Sequence, residues 1–162
     1  MIIIVFGLPG SGKSYFATHL ADMIHAGYIN SDQLRRTMFE KRNYTTDEKM
    51  AVYDEMIKQL REAVTQNQNL VIDATFYKKA IREKFVAEVT NRGSLHFIEV
   101  SADESLVKER LKRPRKDSEA DFEVYQKIKK QWEPLDEDHL VLLSTDDNIS
   151  EMLKKTAHHL QL

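Results

Sequence analysis

GLPGSGKS, residues 7–14, is the stretch of this sequence that decides its fold. It fits the pattern G-x-x-x-x-G-K-[ST], in which glycines let successive backbone N–H groups point inward at the oxygens of a phosphate. The pattern requires a strand before it and a helix after it. Ile2 to Phe6 is a β-branched and aromatic run that predicts a buried strand, and a helical pattern begins at Lys13. A glycine-rich turn without a ligand is the alternative, but spacing and context together favour a phosphate-binding loop, or P-loop.

The residues of this loop have separate expected roles. The helix that begins near Lys13 adds its unpaired N–H groups and the positive end of its dipole. Lys13 supplies a point charge to the β and γ phosphates, and the hydroxyl of Ser14 is placed to ligate Mg²⁺. We expect a nucleoside triphosphate to contact the loop and the residue after it, which are Gly7, Leu8, Pro9, Gly10, Ser11, Gly12, Lys13, Ser14 and Tyr15.

Outward from the loop, strand and helix patterns alternate along the chain. Apolar runs predict further strands at Leu70 to Ile72 with its flanks, at Leu95 to Val100 and at Leu140 to Leu143, with a weaker one at Tyr28 to Asn30. Helical patterns cover residues 13–25, 33–41, 47–67, 78–92, 103–113, 119–132 and 149–160. Such alternation predicts an α/β fold with a mostly parallel sheet covered by helices on both faces. Ligands of these sheets bind beyond the carboxyl ends of the strands.

Composition limits what the motifs can mean. The 162 residues, 41% of them apolar, contain no linker, repeat or low-complexity tract, so one domain over residues 1–162 is expected. The formal net charge is −2, so any attraction to nucleic acid must come from a local patch. The lack of cysteine excludes disulfide scaffolds, thiolate metal sites and cysteine nucleophiles. Without a signal-like segment or an apolar run long enough for a membrane span, a soluble cytoplasmic protein is expected.

YINSDQLRR, residues 28–36, covers the second predicted strand and the start of a helix. Asp32 lies just past the strand, and Arg35 lies three residues further on the same helix face. A carboxylate there could accept the proton of an incoming hydroxyl, while the arginine could hold the phosphate of an acceptor or the transferring group. The alternative is that Asp32 caps the helix and Arg35 is a solvated helix residue.

VIDATF, residues 71–76, places Asp73 at the end of an apolar run. A charge at the end of a buried strand must be paired or face an ion. We therefore expect Asp73 to face Mg²⁺ beside Ser14, either directly or through water. The alternative is that Asp73 caps the helix after Thr75.

KERLKRPRK, residues 108–116, is dense in lysine and arginine within a chain that is otherwise slightly acidic. Pro114 ends the predicted helix and leaves Arg113 and Arg115 in the segment before the next one. A solvated helix face is the alternative interpretation. We favour a helical lid over about residues 110–131, whose arginines close over a triphosphate, neutralise developing charge and exclude water.

These four motifs together resemble the small P-loop kinases related to the kinase module of 5′-hydroxyl polynucleotide kinases, with zeta toxins and chloramphenicol phosphotransferases as more distant relatives. The resemblance implies a P-loop NTPase fold with a five-stranded parallel core and an enzyme that uses ATP and Mg²⁺. It places the general base at Asp32 and the arginine that binds the acceptor phosphate at Arg35. The lid arginine that contacts the nucleotide is best matched by Arg113, with Arg110 and Arg115 as competing positions. The basic residue that commonly precedes the base in polynucleotide kinases is Ser31 here.

The leading functional hypothesis is a kinase that acts on a hydroxyl of a nucleotide, an oligonucleotide end or a small metabolite, with Lys13, Asp32, Arg35 and Arg113 as its catalytic residues. A nucleotide-dependent hydrolase or switch is one alternative, and a toxin or antibiotic-modifying phosphotransferase is another. The sequence leaves the acceptor open, and it leaves open the choice between ATP and GTP.

Overall fold

The computed structural model describes residues 1–89, 94–113 and 120–162. Its strands are β1 (Ile2–Phe6), β2 (Gly27–Asn30), β3 (Leu70–Asp73), β4 (Leu95–Ser101) and β5 (Leu140–Leu143). Its helices are α1 (Lys13–Met23), α2 (Ser31–Met38), α3 (Thr46–Thr65), α4 (Lys79–Ala87), α5 (Glu104–Leu111), α6 (Phe122–Lys130) and α7 (Ile149–Leu160). The predicted alternation of strands and helices is therefore confirmed.

The five strands form one parallel sheet in the order β2-β3-β1-β4-β5. β1 lies in the centre, where Ile4 pairs with Ile72 on one side and with Phe97 on the other. Because all strands run the same way, their carboxyl ends meet at one edge of the sheet. The P-loop follows β1 at this edge, α2 follows β2, and Asp73 ends β3, so the topology brings the predicted site residues together.

The two faces of the sheet have separate hydrophobic cores, as expected of a parallel sheet covered by helices. Ile2, Ile4 and Phe6 face the core shared with α3 and α4. Ile3 and Val5 face the other core, which α1 and α7 cover. All five residues of β1 are buried, since each face of the central strand is covered. β1 thereby holds the start of the P-loop in a fixed position.

Helix ends account for most differences from the predicted elements. The second helix begins at Ser31 instead of residue 33, because the side chain of Asn30 accepts hydrogen bonds from the backbone N–H groups of Asp32 and Gln33 and caps it there. α4 ends at Ala87, five residues before the predicted end at residue 92, which lies outside the described part of the chain. The predicted start of the lid helix at residue 119 lies outside it as well, together with Pro114 and Arg115.

Candidate active site

The P-loop has the backbone that its glycines allow. Gly7 and Gly12 have φ angles of 154° and 90°, which residues with a Cβ rarely adopt. A Cβ on Gly7 would lie 2.2 Å from the carbonyl oxygen of Val100, and one on Gly12 would lie 2.7 Å from Ser144 Oγ. Gly12 precedes the first turn of α1, which begins at Lys13. The loop and the amino end of α1 thus form a concave backbone surface of the kind that binds phosphate.

Asp73 forms the centre of a buried polar cluster beside the P-loop. Its Oδ2 accepts hydrogen bonds from Tyr28 Oη at 2.9 Å and from Asn30 Nδ2 at 2.5 Å. Asn30 Nδ2 also lies 3.4 Å from the hydroxyl oxygen of Ser14. The interpretation of Asp73 as a helix cap is wrong, since α4 begins only at Lys79. Strand β3 instead delivers this carboxylate next to Ser14, where the metal was expected.

Burial determines the protonation of this cluster. Desolvation raises the pKa of Asp73, although the nearby charge of Lys13 and the polar groups of Ser14, Tyr28 and Asn30 oppose the shift. Burial also raises the pKa of Tyr28, and the adjacent Asp73 carboxylate adds to that effect. Tyr28 therefore stays a neutral hydroxyl that donates to Asp73.

The cluster fits a magnesium ion. Asp73 Oδ1 is buried and has no hydrogen-bond partner among residues 1–89, 94–113 and 120–162. A buried carboxylate oxygen without a partner is costly unless a cation or water satisfies it. No group of three or more His, Asp or Glu side chains with metal-binding geometry occurs within those ranges. P-loop sites do not need one, because Mg²⁺ there takes a serine, one acid, phosphate oxygens and water.

Asp32 and Arg35 lie on the first turns of α2, as the sequence predicts. Asp32 is the second residue of the helix, and the capping residue is Asn30, so the interpretation of Asp32 as the cap is wrong. The guanidinium of Arg35 lies 3.5 Å from Asp32 Oδ1, and the side chain of Arg35 is only 12% exposed, so it is not a solvated helix residue. The side chain of Asp32 is 35% exposed and open to an incoming group.

Glu48 on α3 is the second acidic partner of Arg35. Its Oε1 lies 3.0 Å from Arg35 Nε, in an ion pair whose angle falls outside hydrogen-bond geometry. Its Oε2 accepts hydrogen bonds from the backbone N–H groups of Asn43 at 2.7 Å and Tyr44 at 3.3 Å. A buried carboxylate therefore joins α3, Arg35 and the loop between α2 and α3.

Tyr44 and Tyr53 lie near the trio formed by Asp32, Arg35 and Glu48. The ring of Tyr44 lies over the guanidinium of Arg35, 5.1 Å from Cζ to the ring centroid. Tyr53 is fully buried, which raises its pKa, and the neighbouring Tyr77 raises it further. Arg35 and Asp32 also influence the pKa of Tyr53. These residues therefore form one neighbourhood on the α2 and α3 side of the P-loop.

Arg110, a residue of the predicted lid, contacts the P-loop. Its Nη1 donates to the carbonyl of Ser11 at 3.2 Å and to Ser144 Oγ at 3.2 Å, while its Nη2 donates to the carbonyl of Thr145 at 2.8 Å. Arg110 thus fastens the P-loop to the segment after β5. Arg113, the predicted lid arginine, is exposed three residues further along.

A cavity of about 370 Å³ opens beside the P-loop, between α1, the end of α5 and the segment that joins β5 to α7. Tyr15 and Arg113, both assigned to nucleotide binding from the sequence, lie in its wall. The lining residues are Gly10, Gly12, Tyr15, Phe16, Arg110, Arg113, Ser144, Thr145, Asp146, Asn148, Ile149 and Met152. The cavity is therefore continuous with the phosphate-binding loop.

Two residues of the site, Asn30 and Glu48, had no role in the sequence prediction, and Arg110 was considered only as one of several lid arginines. For Asn30 a signal was available, because asparagine just before a helix is a preferred cap. For Glu48 the signal was the pattern Thr45-x-x-Glu48, a capping box. Thr45 Oγ1 accepts the Glu48 N–H as that pattern predicts, but the Glu48 carboxylate binds the two preceding N–H groups instead of that of Thr45. No local signal separates Arg110 from its basic neighbours.

Comparisons with known proteins agree with this geometry. An AAA domain family matches residues 2–135, which cover the P-loop, the polar cluster and the lid residues. The chain belongs to this AAA domain family. No curated protein matches the sequence.

Solved structures place this AAA domain among proteins with a P-loop kinase-like fold. A sugar kinase from Janibacter sp. HTCC2649 is 16% identical, with a TM-score of 0.76 over 99% of this chain and 94% of its own. A gluconokinase from Sinorhizobium meliloti 1021 is 20% identical, with a TM-score of 0.75 over 98% and 90%. The Mycobacterium tuberculosis APS kinase CysC, in complex with AMPPNP and APS, is 15% identical, with a TM-score of 0.65 over 99% and 97%. The P-loop NTPase fold predicted from the sequence is confirmed.

Within the described residues of this AAA domain, no helix combines the length and apolar character that a membrane span needs.

Proposed function

We propose that this protein is a magnesium-dependent kinase that transfers the γ-phosphoryl group of ATP to an acceptor hydroxyl. The observation that carries the proposal is Asn30, which lies 3.4 Å from Ser14 Oγ through its Nδ2 and caps α2 through its Oδ1. One side chain therefore sets the spacing between the P-loop serine and the helix that carries Asp32. A phosphate cradle held at a fixed distance from a half-exposed carboxylate is the arrangement that phosphoryl transfer to a hydroxyl needs.

On the nucleotide side, the backbone N–H groups of residues 7–14 and the amino end of α1 bind the phosphates. Lys13 balances charge on the β and γ phosphates, while Ser14 and Asp73 are the residues that would hold Mg²⁺. A magnesium ion held there would supply positive charge against the negative charge that develops during transfer. The nucleobase of ATP occupies the cavity that Tyr15 lines. Arg113 reaches the phosphates from the rim of that cavity.

On the acceptor side, Asp32 is the general base. The acceptor oxygen gives its proton to the Asp32 carboxylate as it forms a bond to the γ phosphorus. The bond from that phosphorus to the β–γ bridging oxygen breaks, and its electron pair leaves on ADP. Arg35, held one helical turn away with its guanidinium 3.5 Å from Asp32 Oδ1, orients that carboxylate toward the acceptor hydroxyl.

The fold neighbours are consistent with this proposal, because several of them are kinases of small hydroxyl compounds by name, including a sugar kinase, a gluconokinase and an APS kinase. The resemblance to polynucleotide kinases adds a 5′-hydroxyl polynucleotide as a candidate acceptor. The acceptor is therefore a hydroxyl of a small molecule or of a nucleic-acid end.

Labelled ATP tests the proposal directly. The purified protein is incubated with Mg²⁺, γ-labelled ATP and a panel of sugars, nucleosides, 5′-hydroxyl oligonucleotides and metabolite extract, and transferred label is measured together with ADP release. A kinase is expected to transfer label and to release ADP faster when its acceptor is present. ADP release that no acceptor changes would instead identify a hydrolase or switch.

A further inference from the structure

The charge balance around Arg35 bears on the chemical class of the acceptor. Arg35 is the cation nearest to the proposed base Asp32, at 3.5 Å, and an arginine in that place can serve as an anchor for a phosphate. Here, however, Glu48 lies 3.0 Å from the Nε atom of the same guanidinium. Two acidic groups therefore contact the single guanidinium of Arg35, and its positive charge is already offset before any acceptor arrives.

The negative partner of Arg35 cannot easily move away. The side chain of Glu48 is 5% exposed, so its carboxylate has little access to water if the ion pair opens. Its other oxygen is engaged by the N–H groups of Asn43 and Tyr44, which fix its position. An anion bound by Arg35 would have to approach a buried countercharge that stays in place.

Tyr44 packs its aromatic ring against the guanidinium of Arg35. Its backbone lies in the left-handed region with φ of 53°, which is unfavourable for a residue with a bulky side chain. The N–H bond to Glu48 holds it there, with its ring over Arg35 while 51% of the residue stays exposed. An exposed ring beside a proton acceptor provides a surface for the C–H face of a sugar or the plane of a base.

Lys49 is a second cation in this neighbourhood, and its contacts differ from those of Arg35. Lys49 Nζ donates to Tyr77 Oη at 2.6 Å and lies 4.1 Å from the centroid of that ring. Lys49 therefore contacts the phenol oxygen and the ring of Tyr77, and within the described residues it lacks the acidic pair that contacts Arg35. Any test of anion binding must distinguish these two cations.

Resting on the proposed function, we infer that the acceptor is an uncharged ring compound such as a sugar or nucleoside, and that Glu48 is the specificity residue that excludes phosphorylated acceptors. Glu48 acts by neutralising Arg35, which then orients Asp32 and does not anchor the acceptor. A polynucleotide end, whose first phosphate lies close to the reacting hydroxyl, is disfavoured by the same charge balance.

Inorganic phosphate is a probe that does not require the acceptor to be known. The protein is first saturated with Mg²⁺ and a non-hydrolysable ATP analogue, so that the P-loop is filled, and phosphate is then titrated while the NMR signals of Arg35 Nε–H and the Tyr44 amide are followed. The wild-type protein is expected to show no saturable shift at these two positions. Glu48→Gln keeps the size and one acceptor oxygen for the N–H groups of Asn43 and Tyr44 but removes the charge, and it is expected to bind phosphate at least about tenfold more tightly.

Two further variants make the result specific. Arg35→Gln combined with Glu48→Gln should lose the gained binding, whereas binding that survives would place the phosphate on another cation such as Lys49. Thr45→Ala removes the cap of α3 and loosens the same loop without changing any charge, so it should gain no binding. Circular dichroism and melting temperature establish that each variant is folded.

Three results would overturn the inference. Saturable phosphate binding at Arg35 in the wild-type protein would show that its charge is available to an anion. Equally weak phosphate binding by the wild-type protein and by Glu48→Gln would show that the Glu48 charge is not what excludes phosphate. Tighter phosphate binding by Thr45→Ala would assign the effect to loop mobility. A failure of the ATP analogue to bind would refute the proposed function instead, and the Arg35 and Tyr44 signals would still report on the acceptor side.

Discussion

The nucleotide side and the acceptor side of this site are built in different ways. The P-loop offers a phosphate the backbone N–H groups of eight consecutive residues, and its side-chain requirements are a few glycines, Lys13 and Ser14. The acceptor side is an arrangement of side chains from α2, α3 and the loop between them, joined by the Arg35 to Glu48 ion pair. A backbone site recognises what all nucleoside triphosphates share, whereas a side-chain site can change its specificity with one substitution. The nucleotide side is therefore expected to fail completely when altered, and the acceptor side to fail by degrees.

Lys13→Ala gives the largest expected effect. The lysine is the only side chain of the P-loop that brings a full positive charge to the phosphates, so its removal should abolish nucleotide-dependent turnover. ADP release and label transfer measure the loss. Lys58→Ala, which removes a lysine that is 65% exposed on α3, is the matched control and should keep wild-type rates. Full activity in Lys13→Ala would refute the assignment of the phosphate cradle.

Asp32→Asn is expected to slow phosphoryl transfer without weakening nucleotide binding. It removes the proton acceptor but leaves the P-loop intact, so binding of the ATP analogue should stay near normal while phosphoryl transfer slows by roughly 10² or more. Calorimetric titration of the nucleotide and single-turnover transfer measure the two effects. Asp54→Asn, at an exposed position of α3, controls for loss of a surface charge. An unchanged transfer rate would mean that Asp32 is not the base.

Substitution of Arg113 is expected to change the transfer rate alone, and substitution of Arg110 is expected to lower stability as well. Arg113 is exposed at the rim of the cavity, so Arg113→Ala should slow transfer by roughly 10²-fold, the low end for loss of one charge-stabilising donor, with little change in melting temperature. Arg110 joins the P-loop to the segment after β5, so Arg110→Ala should lower the melting temperature as well. Thermal unfolding with and without nucleotide distinguishes them. If Arg113→Ala changed stability alone, the lid interpretation would be wrong.

The same contrast explains what could be predicted from the sequence. The P-loop and the bounds of β1, β5 and α7 depend on local backbone preferences and apolar runs, and the sequence shows both directly. Asp32, Arg35 and Asp73 could be singled out because each follows a strand whose carboxyl end the topology brings to one edge. Their roles remain predictions.

The residues that prediction missed depend on contacts between distant segments. Glu48 meets Arg35 only because α3 packs beside α2, and a glutamate in the first turn of a helix has an ordinary explanation as part of a capping box. Arg110 lies among several basic residues, and only the folded structure shows which of them reaches the P-loop. Side-chain pairing across the fold is not encoded in local spacing, which is why the acceptor side was the less predictable of the two.

Asn30→Asp tests the residue at which the two sides meet. The aspartate keeps an acceptor oxygen for the N–H groups of Asp32 and Gln33, but it replaces the Nδ2 donor that lies 2.5 Å from Asp73 Oδ2 with a second acceptor. Two carboxylate oxygens would then face each other in a buried cluster, and we expect a loss of roughly 1–3 kcal/mol in the free energy of unfolding, the usual cost of a buried polar group without its partner. Denaturant unfolding without Mg²⁺ measures it.

Thr45→Ala is the comparison for Asn30→Asp, because it removes a helix cap without disturbing Asp73 and should cost about 1 kcal/mol. Added Mg²⁺ should restore part of the stability of Asn30→Asp, since a cation between the carboxylates relieves their repulsion, and it should leave Thr45→Ala unchanged relative to wild type. An Asn30→Asp protein as stable as wild type without Mg²⁺ would show that the amide acts only as a cap. In that case the contact between Asn30 and the polar cluster around Asp73 would not contribute to the position of α2. The spacing between Ser14 and Asp32 would then be set by the sheet alone.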